Sequence, residues 1–155
     1  MTLAAVLNDL QGRIGQDIHV SDWMPVTQDL VNRFADATGD HQWIHVDPKR
    51  AAAESPYGTT IAHGYLTLSL YPQLRGLVDE SRPLFPGVRN VINYGLNKLR
   101  FTNAVKVGSR IRARCKLLAA EDIKGSLQLT EQYTVEIEGE DRPACVAEAI
   151  MRLYF

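Results

Sequence analysis

Arg110-Ile-Arg-Ala-Arg-Cys-Lys-Leu117 alternates without a break. Ile111, Ala113, Cys115 and Leu117 fall on one side of an extended chain, and Arg110, Arg112, Arg114 and Lys116 fall on the other. That period of two is what a half-buried strand imposes. Two further runs repeat it. After the turn-like residues 121–126, Leu127, Leu129, Tyr133, Val135 and Ile137 oppose Gln128, Thr130, Gln132, Thr134 and Glu136. After Gly139-Glu-Asp-Arg-Pro143, an apolar face carries Cys145, Ala147, Ala149, Met151, Leu153 and Phe155. Long strands joined by short polar turns predict an antiparallel meander with one buried and one wet face. The basic side chains of the first run belong to the wet face, and the alternation explains them without a nucleic-acid partner.

Toward the N-terminus, residues 87–101 predict another strand, made irregular by Gly95 and by Asn90, Asn93 and Asn97, so that a bulge is expected. Residues 18–27 offer a further strand, and Thr2–Leu10 a short helix stopped near Gly12. Thr27 caps a helix over Gln28–Ala37, in which Leu30, Val31 and Phe34 share an apolar side. Asp47-Pro48, a cap followed by proline at the first helical position, opens a helix over Lys49–Glu54. Thr38–Val46 between them reads as a loop. His63–Leu74 has apolar residues on nearly all sides, which predicts a buried helix, kinked or ended near Tyr71 by Pro72. The expected architecture is α+β, a long antiparallel sheet wrapped around a central helix. No repeat, low-complexity tract or linker divides the chain, so residues 1–155 are expected to form one domain.

Composition narrows the function. With 155 residues, 45% hydrophobic, the chain buries roughly two-thirds of its unfolded surface, enough for a core without staples. A net charge of −1 removes the electrostatic reason to expect nucleic acid or a polybasic membrane contact. No apolar run approaches the ~20 residues of a membrane span, and the N-terminus lacks the features of a signal peptide. Cys115 and Cys145 match neither a disulfide framework nor a zinc knuckle and sit on apolar faces, as small core residues do. A reduced, cytoplasmic setting is the expectation.

Chemistry concentrates in one region. His41, His45 and His63 fall within 23 residues, with Asp40 and Asp47 among them. Asp40 and His45, five apart in a loop, can converge on one small molecule, and a carboxylate with an imidazole can move protons to and from a water near neutral pH. His41-x3-His45 also has the i, i+4 spacing of a helical metal pair, with His63 as a third ligand. Against a metal stand the turn-rich residues before His41, Pro48 after it, and the lack of a Glu beside His41. Ala62-His63-Gly64 opens the buried helix, where free N–H groups meet the positive end of the helix dipole and glycine admits a close neighbour. Such a place can hold a carbonyl oxygen that gains charge during reaction. Gly64 equally serves a helix that passes close beneath the sheet.

Phe34-Ala-Asp-Ala-Thr-Gly-Asp-His-Gln-Trp-Ile-His-Val-Asp47, followed by Ile61-Ala-His-Gly-Tyr-Leu66, resembles the hydratase motif of the MaoC-like dehydratases, which include (R)-specific enoyl-CoA hydratases and the nodulation protein N group. The two blocks cover about a fifth of the chain. Asn93–Phe101 is similar to the nodulation N-type branch. The resemblance implies a hotdog fold, an antiparallel sheet wrapped around the long helix and paired as a homodimer. It places the acid–base pair at Asp40 and His45 and an oxyanion donor at the Gly64 amide, with His63 and Tyr65 at the bound substrate. Two departures stand out. Gln42-Trp43 replaces the Asn-Pro that commonly precedes the family's Ile/Leu-His step, so Trp43 reshapes the pocket mouth and no chain-length preference carries over. Some relatives use a hydroxyl further along the central helix, where this chain has Pro72, and no residue takes that role.

The function implied is reversible addition of water across the double bond of a trans-2-enoyl thioester to give an (R)-3-hydroxyacyl thioester. No metal or redox cofactor is expected. Coenzyme A enters only as part of an acyl-CoA substrate, with an acyl-carrier protein as the other possible carrier. Lys98 and Arg100 are candidates to meet the carrier's phosphates, and equally ordinary exposed strand residues. A hotdog thioesterase and a non-catalytic acyl-thioester binding module are the alternative readings.

Overall fold

A computed structural model describes residues 1–155. Its sheet is built on the three alternating runs: β4 (Arg110–Ile123), β5 (Ser126–Ile137) and β6 (Cys145–Tyr154). β4 pairs with β5 and β5 with β6, all antiparallel. The apolar faces assigned from the sequence are the buried ones: Ile111, Ala113, Cys115, Leu117, Leu127, Leu129, Tyr133, Met151 and Leu153 are all sealed from solvent. β4 runs beyond Leu117, because a bulge between Leu117 and Ala119 resets its phase and hides the continuation from a period-two reading. The turn that follows is correspondingly tight. Lys124 and Gly125 both take positive φ, as a two-residue primed hairpin requires.

With β1 (Asp17–Val20) and β3 (Asn90–Phe101) the order is β1-β4-β5-β6-β3. β3 (Asn90–Phe101) lies at one edge against β6, with irregular register at Asn93/Gly95 and at Leu96/Lys98, where the sequence leads one to expect it. The strand expected over 18–27 is instead two short pieces on β4, β1 (Asp17–Val20) and β2 (Met24–Pro25). Ser21 explains the break: its hydroxyl, not a backbone carbonyl, accepts the Ala113 N–H at 2.9 Å.

On the wet face the three arginines of β4 are neutralised in place. Arg110 pairs with Glu138, Arg112 and Arg114 share Glu136, and Arg114 also reaches Asp17. The Arg112 guanidinium lies 4.4 Å over the Trp23 ring.

Helices cover the apolar face. α1 (Leu3–Gln11), capped by the Thr2 hydroxyl, contributes Val6 and Leu10 to the core. α2 (Gln28–Thr38) is capped by Thr27 and stopped by Gly39 in the left-handed conformation. Part of the expected loop after it is a single helical turn, α3 (Trp43–Val46), too short for any periodicity to reveal. α4 (Pro48–Glu54) starts on the Asp47 cap. The central helix is two pieces, α5 (Gly64–Ser69) and α6 (Tyr71–Arg75), divided at Leu70, with Pro72 in the first turn of α6 where its missing N–H is harmless. Leu66, Leu70, Tyr71 and Leu74 join the sheet's core. It is not buried all round as expected, since Tyr65 is 68% exposed. The Tyr65 ring meets Phe101 of the edge strand β3 edge-on at 5.8 Å and is otherwise left to solvent.

Candidate active site

Three short backbone segments meet beside α5. Gly39 turns the chain sharply out of α2 and delivers Asp40, whose carboxylate accepts the Gln42 N–H at 3.4 Å within the turn. α3 then carries His45 inward. Segment 60–63 runs past it in extended form, tied to α3 by Ile61 N–H to Ile44 O (3.0 Å) and to the loop before β4 by Ala62 N–H to Val105 O (2.8 Å). Gln28, the first residue of α2, fastens this frame: its amide donates to the His45 carbonyl at 2.7 Å and accepts from the Thr60 hydroxyl at 2.6 Å.

Within the frame Asp40, His45 and His63 come together, each offering a ligand-type atom within 4.8 Å of the others. The two imidazoles stack, with ring centroids 3.9 Å apart and planes inclined by 25°. His45 Nδ1 lies 2.7 Å from the Ile61 carbonyl. A carbonyl can only accept, so Nδ1 carries the hydrogen and Nε2 keeps its lone pair. His63 Nε2 lies 2.9 Å from the Asp40 backbone carbonyl and therefore donates to it. Burial holds the His45 imidazole below its ordinary 6.5, and any charge on His63 pushes the same way. The Ile61 carbonyl and the Asp40 carboxylate oppose this shift.

The trio has the residue types of a metal site but not the shape. Imidazole lone pairs lie in the ring plane, so stacked rings send theirs nearly side by side, whereas a shared ion needs them to converge at about 2.0–2.1 Å. His41, the other candidate, is outside the trio on the surface, bonded to Asp36 at 2.9 Å.

A cavity of about 410 Å³ reaches this group at His45, and its wall includes Gly64, Thr67, residues 101–105 and Arg142. Gly64 begins α5, so its N–H has no helical carbonyl to meet. Its lack of a side chain also has a packing cause. A Cβ there would stand 2.8 Å from Cδ2 of the Phe101 ring. Of the residues expected at the site, His45 and Gly64 line this cavity, while Asp40, His63 and Tyr65 are not on its wall. Tyr65 projects outward with its ring edge-on to Phe101, and His63 sits behind His45, 3% exposed and away from the cavity wall.

The MaoC like domain profile matches residues 9–139, most of the chain. The chain belongs to the MaoC-like dehydratase family. It is similar to 3-hydroxyacyl-thioester dehydratase Z of Mycobacterium tuberculosis (strain ATCC 25618 / H37Rv), 54% identical over 145 residues that span 93% of each protein. It is also similar to nodulation protein N of Rhizobium leguminosarum bv. viciae, 46% identical over 151 residues, 96% of this chain and 91% of that one. Among solved structures, the (R)-hydratase from A. caviae involved in PHA biosynthesis superposes with a TM-score of 0.68 at 25% identity, over 89% of this chain and 94% of that one. The hotdog fold that the motif implied is the fold found.

In this MaoC-like chain, motif reading did not find Gln28 and Thr60, which hold α2, α3 and segment 60–63 in register. Thr60 is 1% exposed, and a buried hydroxyl must find a partner, but nothing in the spacing names a glutamine 32 residues upstream.

Proposed function

We propose that this MaoC-like chain is a thioester dehydratase that reversibly hydrates trans-2-enoyl-CoA to (R)-3-hydroxyacyl-CoA. The observation that carries the reading is the meeting of the Asp40 carboxylate with a His45 imidazole whose Nε2 lone pair is left free by the Nδ1–H bond to Ile61. A water held between the two gives its hydroxyl to Cβ and one proton to the pair, and the pair supplies a proton to Cα. In the reverse direction Cα loses its proton and the hydroxyl leaves as water. Which group takes which proton belongs to the coupled pair as a unit. The Gly64 N–H donates to the thioester oxygen as enolate-like charge develops there. The thioester itself acidifies Cα, so neither metal nor redox cofactor enters the balance. The relative named as a 3-hydroxyacyl-thioester dehydratase supports this reading. No helix is long and apolar enough to cross a membrane, and both cysteine thiols are free, which suits a reducing cytoplasm.

The working form in this reading is a homodimer joined through β3. That edge strand leaves Ile92 (47%), Tyr94 (57%) and Leu96 (42%) exposed, and an apolar, unpaired edge is one that proteins cover. Light scattering at micromolar concentration checks it; a monomer there refutes the dimer.

The decisive assay is loss of the conjugated enoyl-thioester absorbance on adding purified protein, followed by chiral analysis of the product. The (R)-3-hydroxyacyl thioester is expected. Mainly (S) product rejects the stereochemistry, free thiol without hydroxyacyl product identifies a thioesterase, and saturable binding without turnover a binding module.

A further inference from the structure

His63 makes two contacts with one ring, and each falls on a different member of the acid–base pair. Its Nε2–H donates to the backbone carbonyl of Asp40 at 2.9 Å, and its face lies on the His45 ring at 3.9 Å. Phe34 of α2 supports it from behind, ring to ring at 4.9 Å. Resting on the reading of Asp40 and His45 as the catalytic pair, we infer that His63 is the positioning residue of the reaction, a single side chain that sets the height of the Asp40 loop and the plane of the His45 ring.

Each contact supplies something that is otherwise missing. The Asp40 carboxylate is anchored within its own turn only by a 3.4 Å bond to Gln42 N–H, and its side chain is exposed. The bond from His63 ties that turn to the start of α5. The His45 ring is held by one hydrogen bond, to Ile61. One bond fixes a nitrogen but lets the ring tilt about it, and a stacked neighbour removes that freedom. Pre-organisation of this kind matters because small misplacements of a reacting group cost large factors in rate.

Fold stability alone does not account for an imidazole at this position. His63 is 3% exposed, and its Nδ1 has no hydrogen-bond partner. Burying an unpaired polar atom is destabilising. An apolar ring would fill the same space without that penalty, but it would give up the bond to Asp40.

The stack also couples the two rings electrically. Charge on His63 disfavours charge on His45, while the Asp40 carboxylate from the loop after α2 favours it. Phe34 of α2 and Ile61 bring no charge, and Tyr57 and Arg142 are the remaining titratable groups on the cavity wall. Replacing His63 by an uncharged ring therefore takes away that charge and lifts the His45 titration while leaving the ring's packing in place, so the two causes are told apart.

The test uses two replacements in the full chain. His63→Phe keeps a flat ring and loses the N–H, and His63→Gln keeps an N–H and loses the ring. Each is expected to lower kcat for enoyl-thioester hydration by roughly 10–10²-fold, with KM changed by less than about threefold. In His63→Phe the acidic limb of kcat/KM moves to higher pH. Unchanged kcat and an unmoved limb in folded variants overturn the proposal, and a raised KM with unchanged kcat makes His63 a substrate contact instead. Nitrogen NMR of histidine-labelled unmodified protein gives an independent check: His63 must carry its hydrogen on Nε2, and the opposite tautomer overturns the proposal whether or not the variants fold. Asp40→Asn and His45→Gln run alongside. Should they retain activity, the catalytic pair itself is misassigned; should they fail while the His63 variants work normally, only the positioning role falls.

Discussion

Arg75 and Glu131 meet fork to fork inside the protein. Arg75 Nε lies 2.9 Å from Glu131 Oε2, and Nη2 lies 2.9 Å from Oε1. The Tyr71 hydroxyl adds a bond of 2.7 Å to the same carboxylate, and burial beside that charge drives the phenol pKa upward. Arg75 is 4% and Glu131 0% exposed, so these are charges withdrawn from water, locking α6 onto the middle of β5.

Breaking this pair from one side should be severe. Glu131→Gln or Arg75→Met leaves a buried charge without its partner, with an expected loss of about 3–5 kcal/mol in unfolding free energy. Arg75→Met, Glu131→Leu and Tyr71→Phe together should cost less than either single change, because no charge or hydroxyl is then stranded. Urea unfolding checks this through the midpoint, provided the slope is unchanged.

Asp40→Asn and His45→Gln should each reduce kcat by roughly 10²–10⁴-fold, the usual worth of positioned acid–base catalysis. The double mutant should be little worse than either, since members of one unit are non-additive. His41→Gln, whose partner Asp36 lies outside the group, should cost less than about 10-fold. Near-normal hydration by a folded dyad variant removes that residue from the mechanism. Activity lost to a chelator and restored by zinc would bring the metal back into consideration.

The acidic limb of kcat/KM should fall below 6.5, because burial penalises the charged form of His45. Stability follows the same sign. As pH drops through 6.5 the unfolded chain takes up a proton at this site before the folded one does, so the contribution present above that pH is lost below it. Rate and stability measured from pH 5 to 8 test both, and a limb above 6.5 refutes the assignment.

Gly64→Ala should displace either α5 or the Phe101 ring, an overpacking worth about 1–3 kcal/mol. Phe101→Ala in the same chain should remove that extra loss, leaving the double no less stable than Phe101→Ala alone. A double-mutant cycle in unfolding free energy measures the coupling, and simple additivity would show that the ring moves aside freely.

The sheet was readable because one face is buried and the other wet, a contrast that sorts β4, β5 and β6 by parity. The same parity puts Glu131 inside, between Leu129 and Tyr133, yet it cannot say what holds the charge there. The partner is 56 residues away on a helix of five. At the site, a spacing of five brings Asp40 and His45 near each other, and the motif marks His63 and Gly64. The stack of His45 on His63 depends on α5 folding back beside α3, which no local spacing encodes. The division of residues 18–27 turns on one hydroxyl of Ser21, and α3 is a single turn; both lie below the resolution of any periodic signal.

Cys115 and Cys145 are fully enclosed on the inner face of the sheet, with burial pushing both thiols up to about 12. At neutral pH they are therefore poor nucleophiles as well as inaccessible ones. Cys115 sits within β4, paired across to Tyr133, while Cys145 begins β6 opposite Phe101. The native protein thus carries a pair of dormant clocks at different depths of its ladder. Under a gentle alkylating reagent, the Cys145 clock runs with fraying of the β3–β6 end, and the Cys115 clock starts only when the centre of the molecule comes apart.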